Sequence, residues 1–308
     1  MLASLALFSR AAPLPEAPAS RMPPPEQALI FATIGALLAG LFFLQRRAPG
    51  APAGHWLPRE EATGKRAYES WVLAYSVVWM GSFGLIIALQ LYEAFDATAY
   101  FVVCGGLALP LWVQALRAAA AGGGGATHAL RAQVWVAVFG FIGNYWYTHY
   151  FYSVLEASYT MPAVRLNDVP ACMYFATLFY FSSYHAFSNA VLRYISLRYP
   201  PSSRRLLLFC AVVFSLSYFT AFMETLTISA FPYYSFADRD RAYTVGSLFY
   251  GLYFLVSFPA YYTFQDNCRA GALGAWDAAL AASGVGMIIL CLLDAVRLGL
   301  GMDFVMRA

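Results

Sequence analysis

Eight stretches of this 308-residue chain are apolar and almost free of charge, each long enough to approach the width of a bilayer core. Seven of them span about 71–91, 98–116, 134–156, 171–192, 206–228, 244–262 and 277–297. A helix needs roughly 20 apolar residues to cross hydrocarbon, and only helices and closed barrels can satisfy their backbone there. The eighth, Ala28 to Leu44, is at the short limit and is followed by Arg46 and Arg47. The expected fold is therefore all-α: a polytopic membrane helix bundle of seven core transmembrane helices, with an N-terminal eighth over 28–44. With 61% hydrophobic, 18% aromatic and 11% charged residues, and a mean hydropathy of +0.59, the chain falls outside soluble averages.

Charge sits between the spans. Loops 45–70, 117–133, 193–205 and 263–276 carry twelve Lys and Arg, while 92–97, 157–170, 229–243 and the C-terminal end carry five. Positive residues collect on the cytoplasmic side, so the first set is expected there. The second set then shares the opposite face, which brings together two polar-aromatic segments, 157–170 and 229–243. A net charge of +3 distributed in this way marks topology and gives no reason to expect nucleic acid. The five cysteines show no CxxC spacing, and four of them, Cys104, Cys172, Cys210 and Cys291, read as small buried apolar residues inside or at the ends of spans. Residues 1–27, rich in Ala, Pro and Ser, leave an organelle-targeting peptide and a plain tail both open.

Polar groups inside the spans carry the functional signal, because each is costly in hydrocarbon unless paired or facing a cavity. From Gly143 to Pro162 the third core span turns aromatic and polar, with Asn144, Thr148 and His149 among seven aromatic residues between Tyr145 and Tyr159. At helical spacing Tyr145, His149, Tyr152 and Glu156 share a face. Glu224 lies in the outer half of its span, on a stripe with Ser217 and Thr220. His185 and Asn189 form an i, i+4 pair toward the cytoplasmic half, where interhelical hydrogen bonding explains them as well as catalysis does. Asp294 and Arg297, three residues apart, read as a local ion pair. No metalloprotease, nucleophile-elbow, phosphate-loop or dinucleotide motif is present, and two histidines in separate spans do not make a metal cluster. The residues by themselves imply an aromatic pocket holding His and Glu, open to an acid–base isomerase or to a lipid-binding or transport protein.

Several long strings go further. Gly143-Asn-Tyr-Trp-Tyr-Thr-His149-Tyr-Phe, Ala157-Ser-Tyr159-Thr-Met-Pro162, Asn167-Asp-Val-Pro170, Tyr184-His185 with Ser188-Asn189, and Ser217-Tyr-Phe with Glu224-Thr occur in order. They are followed by Phe231-Pro-Tyr-Tyr234 with Asp238-Arg239, and Leu248-Phe-Tyr with Val256-Ser-Phe-Pro259. In these the chain resembles the plant and algal cyclopropylsterol isomerases, the cycloeucalenol cycloisomerase family. The resemblance runs from about Lys65 to Gly301, so a sterol isomerase domain over 65–301 is expected, with an N-terminal extension over 1–64 and a short tail over 302–308. It does not extend to the Ala/Gly-rich 118–125 stretch or the loop around Gly271.

The resemblance implies opening of the 9β,19-cyclopropane ring of a sterol such as cycloeucalenol to the Δ8-sterol obtusifoliol, in phytosterol biosynthesis at the endoplasmic reticulum. A proton is added at C19 and another lost from C8, so no cofactor is consumed; sterol and membrane lipid are the expected partners. Such chemistry needs an acid in a dry site, aromatic faces for the tertiary cation at C9, and a base. Glu224 is the candidate acid and His149 the candidate base, with the reverse assignment open. Tyr145, Trp146, Tyr150, Tyr233 and Tyr234 are candidates for the cation-facing wall, and Asn144, Tyr159, His185 and Asn189 for further substrate contacts. A non-catalytic sterol or lipid carrier, or an isomerase acting on a sterol double bond, remain as alternatives at this point.

Overall fold

The computed structural model describes residues 23–45, 55–121, 124–228, 230–267 and 273–302. The tail over 1–22, part of the glycine run after Ala121, the loop around Gly271 and the end of the C-terminal tail lie outside the described residues.

Helices dominate because the apolar windows have no other way to satisfy their backbone in lipid. In chain order they are α1 (Pro25–Phe43), α2 (Thr63–Ala88), α3 (Ala97–Ala120), α4 (Gly124–Ile142), α5 (Thr148–Val154), α6 (Ala171–Arg198), α7 (Ser203–Ile228), α8 (Arg239–Arg241), α9 (Ser247–Tyr262) and α10 (Ala275–Gly299). A π-helical turn, Gly143–Tyr147, fuses α4 to α5; another, Ala242–Gly246, joins α8 to α9, and a third, Thr263–Asn267, extends α9. The result is eight rods among the described residues, seven for the core windows and α1 for the eighth. Local sequence sets their ends. Asp96 caps α3, accepting from Ala99 N at 2.7 Å, and the Asp277 carboxylate holds Gly274 N at 2.6 Å where α10 begins. Pro200-Pro201 prevents α6 from running on into α7.

Five rods, α1, α2, α3, α7 and α10, are long and apolar enough to cross a membrane by length and composition. Large apolar side chains such as Val77, Leu85, Val102, Leu109, Leu206 and Met287 stand on outer faces, as lipid-facing residues do. The remaining three, α4–α5, α6 and α8–α9, carry most of the buried polar groups. They pack on one another and are surrounded by the other rods, with α7 against α9, α10 against α4, α3 against α4 and α6, and α1 against α7. Small residues permit the closest approaches: a Cβ on Gly251 of α9 would stand 3.6 Å from the Ser217 backbone of α7, and one on Gly286 of α10 would stand 3.0 Å from Ile142. Of the cysteines, Cys104 and Cys172 are buried as expected, while Cys210 and Cys291 sit on exposed helix faces.

The loops divide between two ends. At one, Gln45 donates to Arg204 O at 3.0 Å and Arg193 to Trp56 O at 2.9 Å, so 45–70 meets 193–205. At the other, β1 (Ser158–Tyr159) pairs antiparallel with β4 (Tyr234–Ser235), so 157–170 meets 229–243 as the charge pattern implied. Between them β2 (Arg165–Leu166) and β3 (Val169–Pro170) make a hairpin. Its two-residue turn, Asn167-Asp168, has φ of 51° and 55°. Two successive left-handed residues suit a type I′ turn, and Asn and Asp tolerate them.

Candidate active site

A cavity lies under the paired loops, enclosed between four of the rods. One wall is the face of the fused α4–α5 rod bearing Asn144, Thr148 and Phe151; a second is Met173, Thr177 and Phe181 of α6. Glu224, Thr225 and Ile228 of α7 and Tyr250 and Tyr253 of α9 complete the barrel of the cavity. Tyr159, Tyr234 and Phe236 close it from the loops.

Glu224 is the sole carboxylate among these described wall residues. Tyr250 donates to its Oε2 at 2.8 Å, and Tyr184, one turn of α6 below Phe181, is its second hydrogen-bonding partner. Aromatic rings crowd around it: Tyr250 lies 4.8 Å from Tyr253 and 5.2 Å from Phe151 between centroids. Two phenols thus hold one carboxyl group in an apolar chamber. A carboxyl so placed can give up a proton and receive one back, and the aromatic rings around it can face a cationic ligand.

Of the residues expected from the sequence, Glu224, Asn144, Tyr159 and Tyr234 are brought together at this cavity. The others lie elsewhere. His149 is fully buried and its Nε2 lies 3.1 Å from Asn167 O; a carbonyl can only accept, so that nitrogen carries the proton. Tyr152 donates to Asp168 O at 3.0 Å, and Asn167 donates to Tyr145 O. The Tyr145–His149–Tyr152 face therefore exists, and it grips the β2–β3 turn. Glu156 is not on it, because α5 ends at Val154 and Glu156 is an exposed residue with φ of 50°. The neighbouring face, Asn144, Thr148 and Phe151, is one residue and about 100° away, and it is the one that faces the cavity.

Trp146 is on the outer surface, Tyr150 is buried outside the cavity wall, and Tyr233 packs against Tyr92 and Phe231. His185 is fully buried, its Nδ1 donating to Phe181 O at 2.8 Å and its Nε2 accepting from Ser257 at 3.0 Å. Asn189 belongs to a charged network near the opposite end of α6. There Arg193 pairs with Glu69 at 2.8 Å and with Asp266 at 2.9 Å, Lys65 reaches Asp266 at 2.7 Å, and Asn189 donates to Asp266 at 2.7 Å. Burial pushes the Asp266 carboxyl up, but Arg193 and Lys65 more than offset this and hold it below its ordinary value. Asp294 and Arg297 form the expected local pair at 2.8 Å. Tyr184, Tyr250, Tyr253 and Thr177 were not among the expected site residues, although Tyr184 and Tyr250 lie in strings that carry the family resemblance; the signal for Tyr253 and Thr177 was their place beside polar residues in spans rich in aromatics.

With the cavity described, likeness to known proteins can be set beside it. The cycloeucalenol cycloisomerase of Arabidopsis thaliana is 36% identical to this chain over 251 residues, which cover 77% of this chain and 87% of the relative. The chain belongs to the cycloeucalenol cycloisomerase family. No family model matches it, and no solved structure does. For this cycloisomerase family member the arrangement of rods, cavity and loop cap thus stands on its own geometry.

Proposed function

We propose that this protein opens the cyclopropane ring of a cycloeucalenol-type sterol to give the Δ8-sterol obtusifoliol, as an intramolecular lyase of phytosterol biosynthesis in the endoplasmic reticulum membrane. The observation that carries the reading is the Glu224 carboxyl, held by Tyr250 and Tyr184 inside an aromatic cavity. The name of the Arabidopsis relative supplies the substrate class.

In this scheme the protonated oxygen of Glu224 delivers its proton to C19. The C9–C19 bond breaks, its electron pair forms the new C–H bond, and a tertiary cation remains at C9. The faces of Tyr234, Tyr250 and Tyr253 stabilise that charge, each by about 0.5–2 kcal/mol. The carboxylate left behind takes the proton from C8, and the C8–H pair becomes the C8=C9 double bond. One proton enters and one leaves, and Glu224 returns to its starting state. The apolar chamber keeps water from adding to the cation. His149, gripping the hairpin behind the wall, positions the loop cap instead of exchanging protons with substrate.

The test is to feed cycloeucalenol to microsomes containing the protein and analyse the sterols. Accumulation of obtusifoliol, abolished by Glu224→Gln at unchanged protein level, is the expected result. Binding of the sterol without any conversion would replace this reading with a carrier.

A further inference from the structure

The cavity has a second polar end, which proton transfer does not use. Asn144, only 5% exposed, donates through Nδ2 to Gly140 O at 2.9 Å and to Thr177 Oγ1 at 2.8 Å. A backbone carbonyl can only accept, so the amide nitrogen is fixed on that side and Oδ1 points the other way. Among the described residues no donor reaches Oδ1, and this oxygen is not sealed from the cavity that Asn144 lines. An amide oxygen that opens on the cavity with no protein donor keeps its accepting capacity for a ligand. Thr148, on the same helix face, adds a hydroxyl whose own contact to Gly143 O is a long 3.5 Å.

The spacing along α6 places this end relative to Glu224. Thr177, which holds Asn144, and Tyr184, which holds Glu224, are seven residues apart, about 10 Å along the axis at 1.5 Å per residue. Phe181 lies between them on the cavity wall. The two polar ends are thus offset along the cavity, with Phe181 and the ligand's own skeleton between them. A fused-ring alcohol whose hydroxyl is remote from its reacting carbon can meet both ends.

Resting on the isomerase reading above, we propose that Asn144 Oδ1 accepts a hydrogen bond from the single hydroxyl of the sterol, with Thr148 donating to the same oxygen, and thereby sets the reacting ring against Glu224. The site then demands a hydrogen-bond donor on the ligand. A 3-oxo sterol of identical skeleton can still accept from Thr148 but has no proton for Asn144 Oδ1, and is the poorer substrate.

The experiment compares kcat/KM for the 3-hydroxy, 3-oxo and 3-deoxy forms of cycloeucalenol. The protein should prefer the hydroxy form over the other two by at least ~100-fold, since a site built to bond a hydroxyl discriminates strongly against analogues lacking it. In Asn144→Ala the preference should fall below ~5-fold, and in Thr148→Val it should fall by a smaller factor. Each preference is a ratio within one preparation, so a loss of folded protein cancels; should Asn144→Ala yield none, Thr177→Val, which frees the amide, takes its place. An unchanged preference in the variants, or a wild-type protein that turns over the 3-oxo form as well as the alcohol, overturns the hydroxyl site and leaves the isomerase reading intact. No ring opening of any of the three forms overturns both.

Discussion

Tyr159 and Tyr234 are direct partners across the β1–β4 pair and stack with their ring centroids 4.3 Å apart and their planes 14° from parallel. Two loops 75 residues apart in sequence are thus joined at the point where both contribute a wall to the cavity. Replacing Tyr234 by Leu keeps an apolar wall but removes an aromatic face. Turnover number should fall about 3- to 30-fold, the equivalent of a cation–π contact, with a smaller change in KM. Steady-state kinetics on solubilised protein decide it, and an equal loss in both Tyr234→Leu and Tyr234→Phe would remove the ring face from the account.

The carboxyl itself is the sharper test. Glu224→Gln should lower turnover by at least ~100-fold, the lower range for general acid–base catalysis. Tyr250→Phe, which deletes one hydrogen bond to Oε2 and leaves the ring, should cost about tenfold, as expected for a bond to a charged group. Rates are to be normalised to monodisperse protein measured by size-exclusion chromatography.

His149→Gln should behave in the opposite way. The imidazole holds Asn167 O of the hairpin and is not part of the cavity wall, so yield and thermal stability should drop while the rate per folded molecule stays within about tenfold. A loss of 100-fold or more with normal stability would restore His149 as the base.

How far this arrangement could be read from the sequence depends on the scale. Span number and the joining of 157–170 to 229–243 followed from hydropathy and charge, and the cost of a carboxylate in lipid singled out Glu224, which lines the cavity. The identity of the lining residues did not. Asn144, Thr148 and Phe151 differ from Tyr145, His149 and Tyr152 by one step around the same rod, and in an all-apolar span no polar face marks which side looks inward. Tyr184 and Tyr250 reach Glu224 from two other helices, and periodicity within one helix says nothing about its neighbours. The Arg193–Glu69–Asp266 network was hidden for the same reason, since its members come from three separate rods.

That network gives a pH prediction. Asp266 is held below its ordinary value, so its pairing stabilises the fold at neutral pH and through the usual carboxylate range near pH 4, and is lost only as the pH falls lower still. Asp266→Asn should reduce stability at pH 7 by about 3 kcal/mol, as for a broken buried pair, and should blunt the acid step in a thermal melt. A wild-type melt that weakens already between pH 7 and about 5 with Asp266→Asn unaffected would refute the assignment.

Sidedness can be checked in intact vesicles. Glycosylation acceptors inserted at 122 and at 236 should be modified at 236 alone, because the loop sets bearing twelve and five positive residues lie on opposite sides. Modification at 122 would invert the bundle.

The inner position of α4–α5, α6 and α8–α9 has a consequence for biosynthesis. A ribosome-bound chain delivers its helices one at a time, and α2, α3, α7 and α10 are greasy enough to leave the translocon for lipid unaided. By contrast, α6 reaches the bilayer bearing His185, Asn189 and Arg193, whose partners Glu69, Ser257 and Asp266 lie partly in segments not yet made. Until α9 emerges, α6 is stable only beside protein or water. Completion of the core is therefore a C-terminal event: a nascent chain that stops before Asp266 leaves Asn189 without its acceptor and Arg193 with Glu69 as its one acidic partner among the described residues.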